Sequence, residues 1–99
     1  MSKATVRVVA RFLALPEKVE KVKSVLVSLI EPTRQESGCI QYELLQNHED
    51  PMDFVFVEDW ESEALLNAHL ESSHINEVDV KLDGLLVAQT DIRLYRLLA

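Results

Sequence analysis

Phe54-Val55-Phe56-Val57-Glu58-Asp59-Trp60 is short, rich in aromatic and β-branched residues, and apolar on two sides. Side chains alternate across a strand, so Phe54, Phe56, Glu58 and Trp60 share one face, opposed by Val55 and Val57. A strand with two apolar faces sits between two layers, and that reading organises its surroundings. Upstream, Cys39 to Gln46 reads as another strand, with Ile40, Tyr42 and Leu44 on one face. The turn formers Asn47-His48-Glu49-Asp50-Pro51 end it, and so short a connection implies an antiparallel hairpin. Downstream, Ser62 is a candidate N-cap for a helix carrying Ala64, Leu65, Ala68 and His69 on one side. Ser72-Ser73 interrupts that helix, a further segment carries Ile75, Val78 and Leu82, and Gly84 breaks the pattern.

The ends of the chain supply the remaining elements. Residues 4–13 alternate, with Val6, Val8, Ala10 and Phe12 on one side and Thr5, Arg7, Val9 and Arg11 on the other. Pro16 and Glu17 open a helix whose apolar stripe is Val19, Val22, Leu26, Leu29 and Ile30. Pro32 ends or kinks it, and Gly38 is a candidate left-handed stop. Residues 87–97 form a last strand, with Ile92 and Leu94 opposite Arg93 and Tyr95. The order strand, helix, strand, strand, split helix, strand predicts one α+β domain over residues 1–99, with its core at 4–96. With right-handed crossovers it gives a ferredoxin-like four-stranded antiparallel sheet with helices on one face. Two amphipathic helices cover only one side of such a sheet. The apolar residues on the other side therefore call for a second copy, a homodimer packed sheet to sheet.

Composition removes several function classes. At 99 residues with a formal charge of -7 and no basic cluster, the chain lacks the footprint that neutralises phosphates, so nucleic acid is not an expected partner. No apolar run approaches a membrane span and no leader pattern opens the sequence, which makes cytoplasm the expected compartment, with no membrane partner. The single cysteine, Cys39, builds neither an internal disulfide nor a thiolate metal site. A phosphate loop, a dinucleotide fingerprint, a nucleophile elbow and a paired-histidine zinc motif are all missing.

Chemistry-bearing residues concentrate in one stretch. Glu58 points to the side of Phe54, Phe56 and Trp60. There it is either a buried carboxyl raised in pKa, able to act as a base, or a strand-end carboxylate reaching solvent. Trp60 is a wall residue whose indole N–H needs an acceptor. His69 falls on the stripe of Leu65, either satisfied by backbone or open to an internal pocket. His74 begins the next segment, a position where histidines are commonly solvated. Five residues apart on a continuous helix, the two histidines do not share a face, so no metal site is expected. Tyr42 and Arg34 are secondary candidates.

Three segments carry a family resemblance. Thr33-Arg34-Gln35-Glu36-Ser37-Gly38-Cys39-Ile40-Gln41-Tyr42 is similar to the T-R-x-E-x-G-C-x-x-Y segment of antibiotic biosynthesis monooxygenases. Phe54 to Ser62 resembles their F-x-x-x-E-x-W-x-S strand end, and Ala68-His69-Leu70-Glu71-Ser72-Ser73-His74-Ile75 their A-H-x-x-S-x-H helix pair. The resemblance implies a dimeric α+β barrel and oxygenation of a small electron-rich aromatic, a quinol or anthrone, by O2 without a cofactor. It further implies His69, His74 and Glu58 as catalytic groups, with Trp60, Tyr42, Arg34 and Phe56 binding substrate and no metal. Polyketide-tailoring members carry an asparagine on the strand before the tryptophan, where this chain has Phe56. Haem-degrading relatives use an asparagine and a histidine where Ala10 or Arg11 and Asp79 stand here, which disfavours haem degradation. Two other functions compete. One is an isomerase or clearance enzyme for a small signalling metabolite, since one branch of the family processes a phosphorylated autoinducer. The other is a non-enzymatic dimer that binds a small ligand.

Overall fold

A computed structural model describes residues 5–99. Ala4, where the first strand was expected to begin, lies outside the described residues. Four strands, β1 (Val6–Leu13), β2 (Cys39–Gln46), β3 (Asp53–Trp60) and β4 (Asp91–Tyr95), form one sheet in the order β2-β3-β1-β4. Every pairing is antiparallel. Between them lie a single 3-10 turn at Pro16–Lys18 and the helices α1 (Val19–Val27), α2 (Ile30–Arg34), α3 (Glu63–Leu70) and α4 (Ser73–Leu82). This is the expected ferredoxin-like α+β arrangement.

The period-2 patterns place the core. Val8, Ala10 and Phe12 of β1 stand opposite Glu58, Phe56 and Phe54 of β3. The apolar members of these pairs pack with Val22, Leu26, Leu66, Val78 and Leu82 from the helices, and with Leu29 from the break between α1 and α2, in one buried cluster. The other face of the sheet bears Val9, Val55 and Val57, half-buried, beside Leu45, 46% exposed, and Tyr95, 50% exposed. Arg7 and Asp59 pair across that face at 3.3 Å, and Arg11 and Asp53 at 2.9 Å.

Several local expectations shift by a few residues. The first helix breaks at Ser28 and Leu29, ahead of Pro32. A proline ring collides with the carbonyl four residues earlier, so the helical run must end near Ser28 before α2 starts. Gly38 is left-handed at φ 85°, and Leu65 packs so close that a Cβ there would lie 2.8 Å from its Cβ. Ile40 does not share the face of Tyr42 and Leu44. A bulge pairs Cys39 with Trp60 and Gln41 with Asp59, leaving Ile40 as the extra residue, 53% exposed. In α3 the buried positions are Leu66 and His69, while Ala64 and Ala68 face outward, so its inner stripe is rotated from the expected one. β4 is shorter than the expected 87–97 and pairs only with β1, leaving all five of its residues exposed.

Candidate active site

A cavity of about 240 Å³ lies between the helices and the inner face of the sheet. Its floor is Val8, Ala10 and Phe56, and its polar groups come from Tyr42, Glu58, His69, Asp79 and Thr90. No Lys or Arg among the described residues lines it. Each polar group arrives by a traceable route. β3 keeps its alternation to its last residue, so Glu58 points inward beside Phe56 and is 4% exposed. Trp60, two residues on and fully buried, donates its indole N–H to Glu58 Oε1 at 2.8 Å. Burial outweighs that hydrogen bond and pushes the Glu58 carboxyl up to about 7, with nearby Glu36 adding to the rise. Burial raises the Tyr42 phenol well above its usual range too, and Glu58 reinforces the shift. Tyr42 stacks on Phe56 at 4.6 Å between ring centroids.

His69 is the most constrained group. Ser62 caps α3 by accepting from Leu65 N–H at 3.2 Å, and this fixes the turn that carries His69 to the inner surface. The ring lies 4.7 Å from the Trp60 ring and 5.6 Å from that of Tyr42, and the residue is 1% exposed. Its Nδ1 stands 2.7 Å from Glu36 Oε2. A carboxylate oxygen accepts, so Glu36 holds the neutral ring in the tautomer with its proton on Nδ1. The lone pair is then on Nε2, which has no hydrogen-bond partner among the described residues. Burial lowers the His69 pKa, against the opposing pull of Glu36.

His74 does not reach the cavity. Its Nε2 stands 2.8 Å from the same Glu36 oxygen, with Ser72 Oγ at 3.3 Å. The expectation that the two histidines stay apart assumed a continuous helix. The chain breaks between Leu70 and Ser73, and the break lets both rings converge on one carboxylate. Arg34 also stands outside this cavity. Its guanidinium donates to the Tyr42 carbonyl at 2.9 and 3.1 Å, pinning α2 to β2. Glu36, the group that unites the histidines, was not singled out from sequence. Its position within the T-R-x-E segment was the only available signal.

A model of the antibiotic biosynthesis monooxygenase family matches residues 5–78. The chain belongs to the antibiotic biosynthesis monooxygenase family. Membership supports a monooxygenase-like function in general terms. Within that family's relatives, the protein is 35% identical over 77 residues to a Bacillus subtilis strain 168 protein named "Putative monooxygenase YcnE", covering 78% of this chain and 81% of that one. It is 30% identical over 82 residues to protein sll1783 of Synechocystis, covering 83% of this chain but only 56% of the relative's length. The crystal structure of PA3566 from Pseudomonas aeruginosa superimposes with a TM-score of 0.91 at 30% identity, covering 100% of this chain and 98% of that one.

Proposed function

We propose that this antibiotic biosynthesis monooxygenase-family protein oxidises a small phenolic aromatic, quinol- or anthrone-like, with O2 and without a cofactor, using His69 as base. The observation that carries this reading is the Glu36–His69 pair, which turns an unpartnered imidazole nitrogen toward an apolar cavity. An electron-rich phenol that loses its proton to His69 Nε2 becomes an anion able to give one electron to O2. The resulting radical and superoxide join at a ring carbon that bears hydrogen. Protonation of the peroxide from the imidazolium and loss of that carbon's hydrogen with O–O cleavage release one water and leave a carbonyl. Glu58, about half protonated at neutrality, donates in its protonated form to a substrate oxygen, and Asp79 and Thr90 also line the cavity. His74 positions Glu36 and not the substrate, Trp60 acts through Glu58, and Tyr42 and Phe56 form the aromatic floor. Carboxylates in the lining, with no Lys or Arg there among the described residues, favour a neutral ligand over a phosphorylated one.

The test is oxygen uptake with a panel of quinols and anthrones. Uptake above autoxidation should fall by about two orders of magnitude or more in His69→Ala, the usual scale for losing a general base. A rate in the variant equal to that of the wild type would remove His69 from the role. Uptake no faster than autoxidation throughout would favour a binding function.

Assembly is the other part of the reading. The half-buried valines and exposed Leu45 and Tyr95 on the outer face support a homodimer packed sheet to sheet.

A further inference from the structure

Glu36, His69 and His74 offer one carboxylate oxygen and two imidazole nitrogens, all within 4.8 Å of one another. They come from three separate pieces of chain: the loop after α2, the last turn of α3 and the first turn of α4. We propose that these three side chains form a binding site for a borderline divalent cation such as zinc, and that the bound cation switches off the base facing the cavity.

The donor set is the one zinc selects, imidazole nitrogen and carboxylate oxygen. Ligand atoms about 2.0–2.1 Å from a tetrahedral zinc lie roughly 3.3 Å from one another. The present contacts of 2.7 and 2.8 Å must therefore open by about half an ångström. The side chains that have to move are the accessible ones. Glu36 is 19% and His74 23% exposed, while the His69 ring is held between Trp60 and Tyr42. A cation thus enters from the Glu36 and His74 side, onto a rigid buried ligand, with a remaining position open to water. Cys39 stands at the start of the neighbouring strand but is not among the three ligands.

The consequence for the cavity follows from imidazole chemistry. A neutral ring carries one proton. A metal on Nδ1 takes that nitrogen's lone pair and moves the proton to Nε2. The nitrogen facing the substrate then donates instead of accepting. This part rests on the base role proposed for His69, whereas metal binding does not.

Zinc titrated into tag-free, metal-stripped protein should give one site per chain by calorimetry, and Co2+ should develop a ligand-field absorption band. Loss of a group that merely orients a metal ligand costs about 10–100-fold in affinity, so Glu36→Gln and His74→Ala should weaken binding at least that much. His48→Ala, which alters the histidine in the β2–β3 turn, should leave it unchanged. Both ligand variants alter partly exposed side chains, and circular dichroism checks that they fold. Nitrogen-15 spectra of the histidine rings read the tautomer directly. On adding zinc, the His69 Nε2 signal should move from the unprotonated to the protonated range. Absence of binding, or affinity that survives both ligand variants, overturns the site. Binding with Nε2 still unprotonated overturns the switch. A protein that binds zinc but consumes no oxygen contradicts the monooxygenase reading and leaves the site standing.

Discussion

Glu58 shows how one buried carboxyl links chemistry to stability. Its pKa rises from 4.5 to about 7 because desolvation outweighs the Trp60 N–H. The folded protein holds this proton more tightly than the unfolded chain does. The associated stability is therefore fully present below pH 4.5 and is lost as pH rises through about 7. A shift of that size corresponds to about 3 kcal/mol across the window. Glu58→Gln keeps an acceptor for Trp60 and has nothing to titrate. The difference in urea stability between wild type and Glu58→Gln should move by that amount in favour of the variant from pH 4 to pH 8. A difference that stays flat over that range would show Glu58 ionising as an ordinary carboxylate. From the sequence, Glu58 could equally have reached solvent. What settled its burial was the tertiary packing around the inner face of the sheet, where Glu58 lines the cavity beside Phe56 and His69.

The elements beside the site depend on a few local devices. Ser62 is the clearest, since its Oγ accepts from Leu65 N–H and orients the helix that delivers His69. Removing such a cap costs about 1 kcal/mol. Ser62→Ala should lower the urea midpoint accordingly with an unchanged m-value, and an unaltered midpoint would mean the cap is dispensable. The cap, the Pro32 break and the left-handed Gly38 were legible locally, because each is a property of a few consecutive residues. The bulge at Ile40 was not. It arises from how β2 meets β3, and period-2 counting within one strand has no means of finding an extra residue. The rotation of the α3 stripe is similar, for alanines read as apolar whether or not a partner covers them.

At the scale of the whole molecule, the two faces of the sheet differ in what covers them. The inner face has four helices above it. The outer face has Val9, Val55 and Val57 flanked by the Arg7–Asp59 and Arg11–Asp53 pairs, with no further element of this chain upon it among the described residues. A charge at the centre of that surface would be buried unpaired in a sheet-to-sheet dimer, at a cost of several kcal/mol. Wild-type protein should sediment as a dimer at micromolar concentration and Val57→Lys as a monomer with unchanged secondary structure. A monomeric wild type would refute the assembly. No helix among the described residues is long and apolar enough to cross a membrane.

The sequence by itself determined the order of elements and the α+β class, and it put forward Tyr42, Glu58, Trp60 and His69 as candidates. Alternation, helical stripes, caps and turn formers are local, and three ordered motifs carried the family resemblance. Tertiary structure alone decided which candidates meet. It moved Arg34 to a backbone carbonyl, separated His74 from the cavity, and introduced Glu36, distant by 33 residues from His69 and 38 from His74. Convergence across such separations depends on how α2, α3 and α4 pack over the sheet, and no spacing rule along one chain encodes it.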